Sequence, residues 1–375
     1  MTGPAGIYVH LPYCASRCGY CAFVVTTDDS TRGRYLTAIE TEAALVAAEA
    51  SGARFDSIYL GGGTPSLLAP DEVARLIDSL RGRFAFDDGT EITLEANPED
   101  VGAAAARAWA RAGVSRVSVG VQSLEDAELS AVGRRHDSAR ALAALEALSG
   151  EGVAISGDLI LGLPLQTAES FRGSLRALCE AVDHLSVYLL ETEKSRVLED
   201  DRRRRPERYL SDDGQADAWL EMGEWLAARG FEHYEISNWA RDGRRARHNV
   251  KYWTRTPTLG LGVSAHELWG DRRRANVSRL ERYLAEIEQG RRPLALDREL
   301  SAVEAAREEI FLGLRLAAGV PEVRVAEVAA LAGDDRLSED YEGWLSEEIL
   351  ERAGGRVRFT ERGFLVSNEV LSRFV

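Results

Sequence analysis

Three observations predict an α/β fold with a parallel sheet and a smaller, mainly helical C-terminal domain. Short β-branched runs alternate with longer Ala/Leu/Glu/Arg stretches of helical period from residue 6 to about residue 190. The chemically notable residues fall just after the strand runs, where open α/β sheets and barrels gather their sites. From about residue 295 the pattern turns helical.

Taken in order, the strand candidates are Ile7–Leu11, Ser57–Leu60, Glu91–Glu95, Arg116–Val121, Ile155–Leu161 and His184–Leu190. The helix candidates between them are Tyr35–Ala50, Pro70–Arg83, Gly102–Ala112, Ser138–Ser149 and Ala168–Ala181. Pro70 followed by Asp71 and Glu72 is a helix start. Gly113 and Gly152 sit just past helices, where a left-handed cap is wanted. Such alternation implies right-handed βαβ units. The rim after the strands then collects Cys14–Cys21, Gly61-Gly62-Gly63-Thr64-Pro65, Glu95-Ala96-Asn97-Pro98, Gly120-Val121-Gln122-Ser123, Asp158 and Gly162-Leu163-Pro164.

Beyond this core, the charged, Arg-rich stretch near 195–210 reads as a long excursion or flexible loop, broken by Pro206. Asp212–Gly230 reads as a helix with Trp219, Met222, Trp225 and Leu226 on one face, a core stripe. Glu232–Trp239 reads as a strand, and Arg356–Thr360 with Gly363–Ser367 as a small hairpin. The expected divisions are a (β/α) core over 1–195, an extension completing it over 196–295, and a helical, winged-helix-like domain over 296–375.

Composition narrows the function. The chain has 375 residues, 45% hydrophobic and 29% charged, which suits a globular protein with one large and one smaller domain. Its net charge of −15 argues against nucleic acid as the main partner, since phosphate backbones demand a basic footprint. Arg202–Arg205 and Arg272–Arg274 are short runs flanked by acids and read as solvated faces. No apolar run reaches the ~18 residues of a membrane span, which leaves only peripheral membrane contact open. No signal peptide is apparent, and a strand starting near residue 6 leaves no space for a transit peptide. The expected address is the reducing cytoplasm, which suits free thiolates.

Three of the four cysteines, Cys14, Cys18 and Cys21, lie within eight residues in a C-x3-C-x2-C spacing. Clustered thiolates outside a disulfide framework read as a soft-metal site. Zinc would want four protein ligands, or three and a water. An iron–sulfur cubane has four irons, so three cysteines leave one open to a small molecule. Cys179 stands alone in a helical pattern and reads as a core residue. The glycine run at 61–63 lets bare backbone approach a ligand closely. Glu95 and Asp158 are strand-end carboxylates suited to hydroxyl or amino groups. Gln122 can donate and accept, and Arg134 can pair with a carboxylate.

The cysteine spacing, with Tyr20 just before the last Cys, resembles the radical S-adenosylmethionine (SAM) superfamily. The GGGTP run is similar to that superfamily's glycine motif for the SAM amine. The resemblance implies an incomplete (β/α)6 barrel. It implies a [4Fe-4S] cluster on Cys14, Cys18 and Cys21, with SAM on the open iron. Gly62, Gly63, Thr64, Glu95, Gln122, Arg134 and Asp158 would position SAM, with Tyr8 and Tyr20 nearby.

Across nearly the whole chain the likeness narrows to the oxygen-independent coproporphyrinogen III oxidase group. It is carried by Tyr8-x-His10-x-Pro12-x-Cys14, the glycine run, Glu95-x-Asn97-Pro98, Ser118-x-Gly120-x-Gln122-Ser123 and Asp158–Pro164. Three features resemble the haem-chaperone branch of that group rather than its oxidases. Phe23 stands where the oxidases have a fourth Cys, their longer N-terminal extension is missing, and the branch's HNxxYW run is present as His248–Trp253. The segment Val24-Val25-Thr26-Thr27 is more apolar than that branch leads one to expect. The resemblance implies haem binding and transfer to an acceptor protein. Radical oxidative decarboxylation of coproporphyrinogen III is the alternative, and a non-catalytic cluster protein that docks a partner through its C-terminal domain is a third. Imidazole ligates haem iron and aromatic faces stack on porphyrin, so His248, Asn249, Tyr252, Trp253 and His266 are the haem candidates. His10 reads as structural; His136, His184 and His233 carry no strong signal.

Overall fold

The computed structural model describes residues 3–333 and 335–374. Six strands, β1 (Ala5–Leu11), β2 (Arg54–Gly62), β3 (Ala85–Ala96), β4 (Arg116–Gln122), β5 (Ala154–Leu161) and β6 (His184–Leu189), run parallel in sequence order. Helices α1 (Arg32–Ala47), α2 (Pro70–Arg81), α3 (Ala103–Arg111), α4 (Asp126–Ala131), α5 (Ser138–Ser149) and α6 (Ala168–Ala181) connect them. The α/β alternation expected from the sequence is the fold.

Strand alternation explains why this sheet carries a site. Residues two apart share a face. One face offers Ile7, Val9, Leu11, Ile58, Leu60, Ile92, Leu94, Val117, Val119 and Leu159, which form one core with Ile39, Leu76, Ile77, Leu148 and Leu178 of the helices. The other face offers Tyr8, His10, Tyr59, Glu91, Glu95, Arg116, Ser118, Gln122, Ser156, Asp158 and His184. Apolar packing holds the sheet to its helices, and the polar face is left for chemistry.

The sheet is wider than six strands. β7 (Glu232–Glu235) and β8 (Asn238–Ala240) extend it antiparallel beyond β6. On the other side β9 (Thr258–Leu261) pairs parallel with β1, followed by antiparallel β10 (His266–Trp269), β11 (Arg272–Asn276) and β12 (Leu294–Glu299). β12 and β7 are the two edges of a twelve-stranded sheet, so the barrel stays incomplete. The expected strand Glu232–Trp239 is instead the β7–β8 hairpin.

The Arg-rich stretch is not a loop. It forms α7 (Arg196–Arg204), capped by Ser195, whose hydroxyl accepts from the Leu198 amide. Acids one turn back pair with its arginines: Arg203 with Glu199 and Asp200, while Asp201 accepts from Arg205, Arg208 and Tyr209. The sequence showed charge density but not this i,i+4 pairing. Helix α8 (Asp212–Ala227) follows, with Trp219, Met222 and Leu226 buried. Next comes α9 (Arg247–Trp253), which holds the HNxxYW run; α10 (Leu280–Glu288) lies between β11 and β12.

After β12, α11 (Ala302–Gly313) leads into a second hydrophobic core around Ile310, Val328, Leu350, Val357, Phe359 and Phe364. The terminal hairpin differs from expectation. β14 (Leu350–Ala353) and β15 (Arg356–Phe359) pair across Gly354-Gly355, and β13 (Val320–Pro321) adds a third strand. Both glycines have positive φ, 58° and 74°, as a two-residue hairpin turn requires. Gly363 instead lies inside a helical turn, Glu361–Leu365, capped by Thr360, and a Cβ there would meet the Ile349 carbonyl oxygen at 2.0 Å. This unit docks on the sheet through Ile236 N–H to Arg315 O (2.8 Å), Ala317 N–H to Tyr234 O (3.1 Å) and the His233–Glu361 contact. Among the described residues, no helix is long and apolar enough to cross a membrane.

Candidate functional site at the carboxyl end of the sheet

The chain leaves β1 at Leu11 and returns through Thr26. Between them it builds a loop pinned at four places. Cys14 N–H donates to Thr26 O (2.9 Å) and Thr26 N–H to Pro12 O (2.8 Å). Gly19 N–H donates to Val132 O (3.0 Å), and the Ser195 hydroxyl donates to Gly19 O. His10 Nε2 donates to Val24 O (2.9 Å), which leaves Nδ1 to accept from the Tyr8 hydroxyl (3.0 Å). Burial lowers the His10 pKa and so favours this neutral form.

The three loop thiols are free and half-buried. The Thr64 hydroxyl donates to Cys14 Sγ (3.4 Å), and Arg134 Nη1 lies 3.7 Å from Cys18 Sγ. Burial pushes the Cys14 and Cys21 thiols up, opposed by Thr64 at the first and the Phe23 backbone at the second. Among the described residues, no three His, Cys, Asp or Glu side chains converge to hold a single metal ion. Three thiols bordering a pocket fit a cluster held at separate corners, with one corner left to another ligand.

That pocket has a volume of about 420 Å³ and is lined from the strand ends. Cys14, Cys18, Tyr20, Cys21, Gly62, Gly63, Thr64, Glu95, Gln122, Arg134 and Asp158 all border it. The glycines are needed for closeness. A Cβ on Gly63 would meet Leu11 O at 2.7 Å and Tyr13 O at 2.8 Å, and one on Gly62 would strike the His10 ring at 2.5 Å.

Glu95 accepts from the Tyr59 hydroxyl (2.7 Å) and the Gly62 amide (2.9 Å). Burial pushes its carboxyl up to about 7 against both hydrogen bonds. Burial likewise raises Asp158 to about 6 against the Ser186 and Ser118 hydroxyls. Arg134 borders the pocket with part of its guanidinium already committed. Its Nη2 donates to Asn97 Oδ1 (2.8 Å) and Gly120 O (2.7 Å), so only its Nη1 edge turns to Cys18 and Tyr20. Asn97 Nδ2 in turn donates to Thr64 Oγ1 (3.2 Å). A chain of bonds therefore runs from Arg134 through Asn97 and Thr64 to Cys14. Asn97 was visible in the motif Glu95-x-Asn97-Pro98, but only the fold reveals that it links the cysteine loop to β4.

Other expected residues lie apart from this pocket. Tyr8 sits one layer below, near the Tyr59 ring (6.1 Å). His248 is fully buried inside the sheet's polar face, 5.2 Å from the Tyr59 ring. Both its ring nitrogens are used, Nδ1 by Ser57 (3.0 Å) and Nε2 by Tyr252 (2.9 Å). Burial, helped by Lys251, lowers its pKa to about 3. Gly6 admits α9 this close, since a Cβ there would meet the His248 Nδ1 at 3.0 Å. Asn249 is half-buried on the same helix. Trp253 packs beneath the Arg315 guanidinium (5.3 Å) at the junction with the C-terminal unit. His266 is exposed on β10. The structure thus gathers the cysteines and every SAM candidate except Tyr8, and leaves the haem candidates outside their pocket.

The radical SAM superfamily matches residues 8–178. The chain is 34% identical over 374 residues to the heme chaperone HemW of Mycobacterium tuberculosis H37Rv, covering 98% of this chain and 94% of that one. It is 31% identical over 383 residues to the heme chaperone HemW of Escherichia coli K12, covering 99% and 98%. Among solved structures, the radical SAM enzyme coproporphyrinogen III oxidase (HemN) of Escherichia coli superposes with a TM-score of 0.84 at 25% identity, covering 99% of this chain and 90% of that one.

Proposed function

This chain belongs to the radical SAM superfamily and, within it, to the HemW family, and on that premise we propose that it is a haem chaperone that passes haem to an acceptor protein. The observation that carries this reading is likeness to HemW proteins over almost the full length of both chains. Cys14, Cys18 and Cys21 would hold a [4Fe-4S] cluster whose open iron takes SAM, and that pair when bound supplies one-electron chemistry. The residues around it have separable tasks. Gly62 and Gly63 leave backbone bare for a close ligand. Glu95 and Asp158 offer carboxylates to an amino group or ribose hydroxyls, and Gln122 offers an amide. Arg134 and Asn97 hold the cysteine loop at a fixed distance from β4. Free thiols suit a reducing cytoplasm, where we place the protein.

The test is an anaerobic haem titration of the cluster-reconstituted protein, followed at the Soret band. A saturable one-to-one shift is expected, and haem should then move to an apo-haemoprotein acceptor. No saturable shift sinks the chaperone reading. One observation favours a second reading, the fold match to the Escherichia coli oxidase. Release of carbon dioxide from coproporphyrinogen III on addition of reductant and SAM would establish that reaction instead.

A further inference from the structure

The amino end of the same sheet holds a second pocket, about 570 Å³ in volume. It shares no residue with the cysteine pocket. Arg116, Arg244, Arg245, Arg247 and Lys251 line it with one carboxylate, Glu91. This is a reversal of the chain as a whole, which has 61 acidic residues against 46 Lys and Arg.

Two of the five cations are neutralised within the protein: Lys251 by Asp56 (2.6 Å) and Arg245 by Glu232 (2.5 Å). Glu91 is committed to the backbone, accepting from the amides of Arg247 (3.2 Å) and His248 (3.1 Å). Arg116, Arg244 and Arg247 have no carboxylate partner among the described residues. Arg247 donates from Nη2 to Gly89 O (2.9 Å). Arg116 is the most telling. It opens β4, is only 4% exposed, and donates from Nη1 to Arg244 O at 3.4 Å. Among the described residues no carboxylate is in ion-pair contact with it, and the Asp158 carboxyl feels its charge only from beyond that distance. A buried guanidinium so placed costs the fold stability, and an apolar side chain of similar length would pack there at lower cost. Guanidinium forks match phosphate oxygens in pairs.

The geometry points to a binding site for a phosphate-bearing small molecule at the amino end of the sheet, with its anion held by Arg116 from β4 and by Arg244 and Arg247 from the turn into α9. This gives part of the HNxxYW helix a task away from the cysteine pocket. Val250 and Lys251 form a wall of the site, and Glu91 and Asp56 fix that wall in place.

Calorimetric titration of the full-length protein with sodium pyrophosphate, at ionic strength held constant with sodium chloride, tests the assignment. Saturable one-to-one binding is expected, with a matching rise in melting temperature. Arg244 is exposed and its side chain has no partner among the described residues, while its backbone bonds survive truncation, so Arg244→Ala should fold normally and weaken binding by about tenfold or more. Arg116→Met should weaken binding at least as much, while melting at or above the parent temperature without pyrophosphate. No saturable binding up to about 10 mM pyrophosphate overturns the site. So does binding that Arg244→Ala leaves unchanged.

Discussion

The cysteine loop and the HNxxYW helix are the two segments of densest chemistry in this sequence, and the fold treats them in opposite ways. The loop is pinned by backbone hydrogen bonds and leaves its three thiols half-buried at a pocket. The helix closes the amino end of the sheet and turns His248 inward, where Ser57 and Tyr252 use both nitrogens. At the loop, polar groups are held by the backbone so that side chains stay available. In the helix, polar side chains satisfy one another. Tyr59 joins the two, bonding Glu95 through its hydroxyl while its ring lies beside His248. A motif's residue types therefore announce chemistry, but only burial and hydrogen-bond accounting tell whether that chemistry faces a ligand.

The largest effect should come from the loop. Cys14→Ser is expected to abolish cluster retention, with iron and sulfide after anaerobic reconstitution falling to background, while the melting temperature stays near the parent value. Retention of a full iron complement would remove Cys14 from the ligand set and break the contrast at its stronger side.

Next in size is the pair of carboxyls. Glu95→Gln should weaken SAM binding about tenfold or more, the scale of one lost charge-assisted hydrogen bond. The pH dependence has two opposed parts. Folding raises Glu95 from 4.5 to about 7 and Asp158 from 3.8 to about 6. The folded state thus binds these protons more tightly than the unfolded state. Their contribution to stability is full at low pH and is lost as pH rises through about 6 to 7. Over the same window the carboxylates become charged, and cationic SAM should bind more tightly. Melting scans with and without SAM should show the ligand-free curve falling and the SAM-induced rise growing. Glu95→Gln should flatten both, and an unchanged profile would take Glu95 out of the site.

His248→Ala sharpens the contrast from the other side. It removes a fully buried ring and strands the Ser57 and Tyr252 hydroxyls, so a loss of about 2–4 kcal/mol is expected in denaturant unfolding. Haem affinity, read at the Soret band below the unfolding transition, should change by less than about twofold, a difference worth only a few tenths of a kcal/mol. Loss of the Soret shift with unchanged stability would mean that the helix opens to present His248, and that the two motifs act alike.

Much of this was legible because the responsible forces are local. Helices α5 and α6 occupy the expected residues, each with a sequence-visible cap, Asp137 and Thr167. The six parallel strands are legible because each is a short apolar run next to a helix of clear period. β9 is only four residues long and exists through parallel pairing with β1, far off in sequence, so no local pattern announces it. That Arg134 also bonds Asn97 and Gly120 is a tertiary fact, which no local pattern announces. The depth of His248 was hidden for the same reason: a glycine at residue 6, far off in sequence, makes room for it.

The smallest effect is expected on α7, where charge is plentiful and burial scarce. Arg203 pairs with Glu199 and Asp200, but its side chain is 68% exposed and Glu199 is 47% exposed. Such a pair gains little from Coulomb attraction in water and gives up rotamer freedom to form. Arg203→Ala should shift the melting temperature by less than about 1 °C. Asp201→Asn should shift it more, because that carboxylate serves Arg205, Arg208 and Tyr209 at once and its side chain is only 12% exposed. The order of the two variants carries the test. If the exposed pair mattered as much as the shared acid, charge density alone would stabilise this helix, and burial would lose its standing as the quantity that separates the two motif regions.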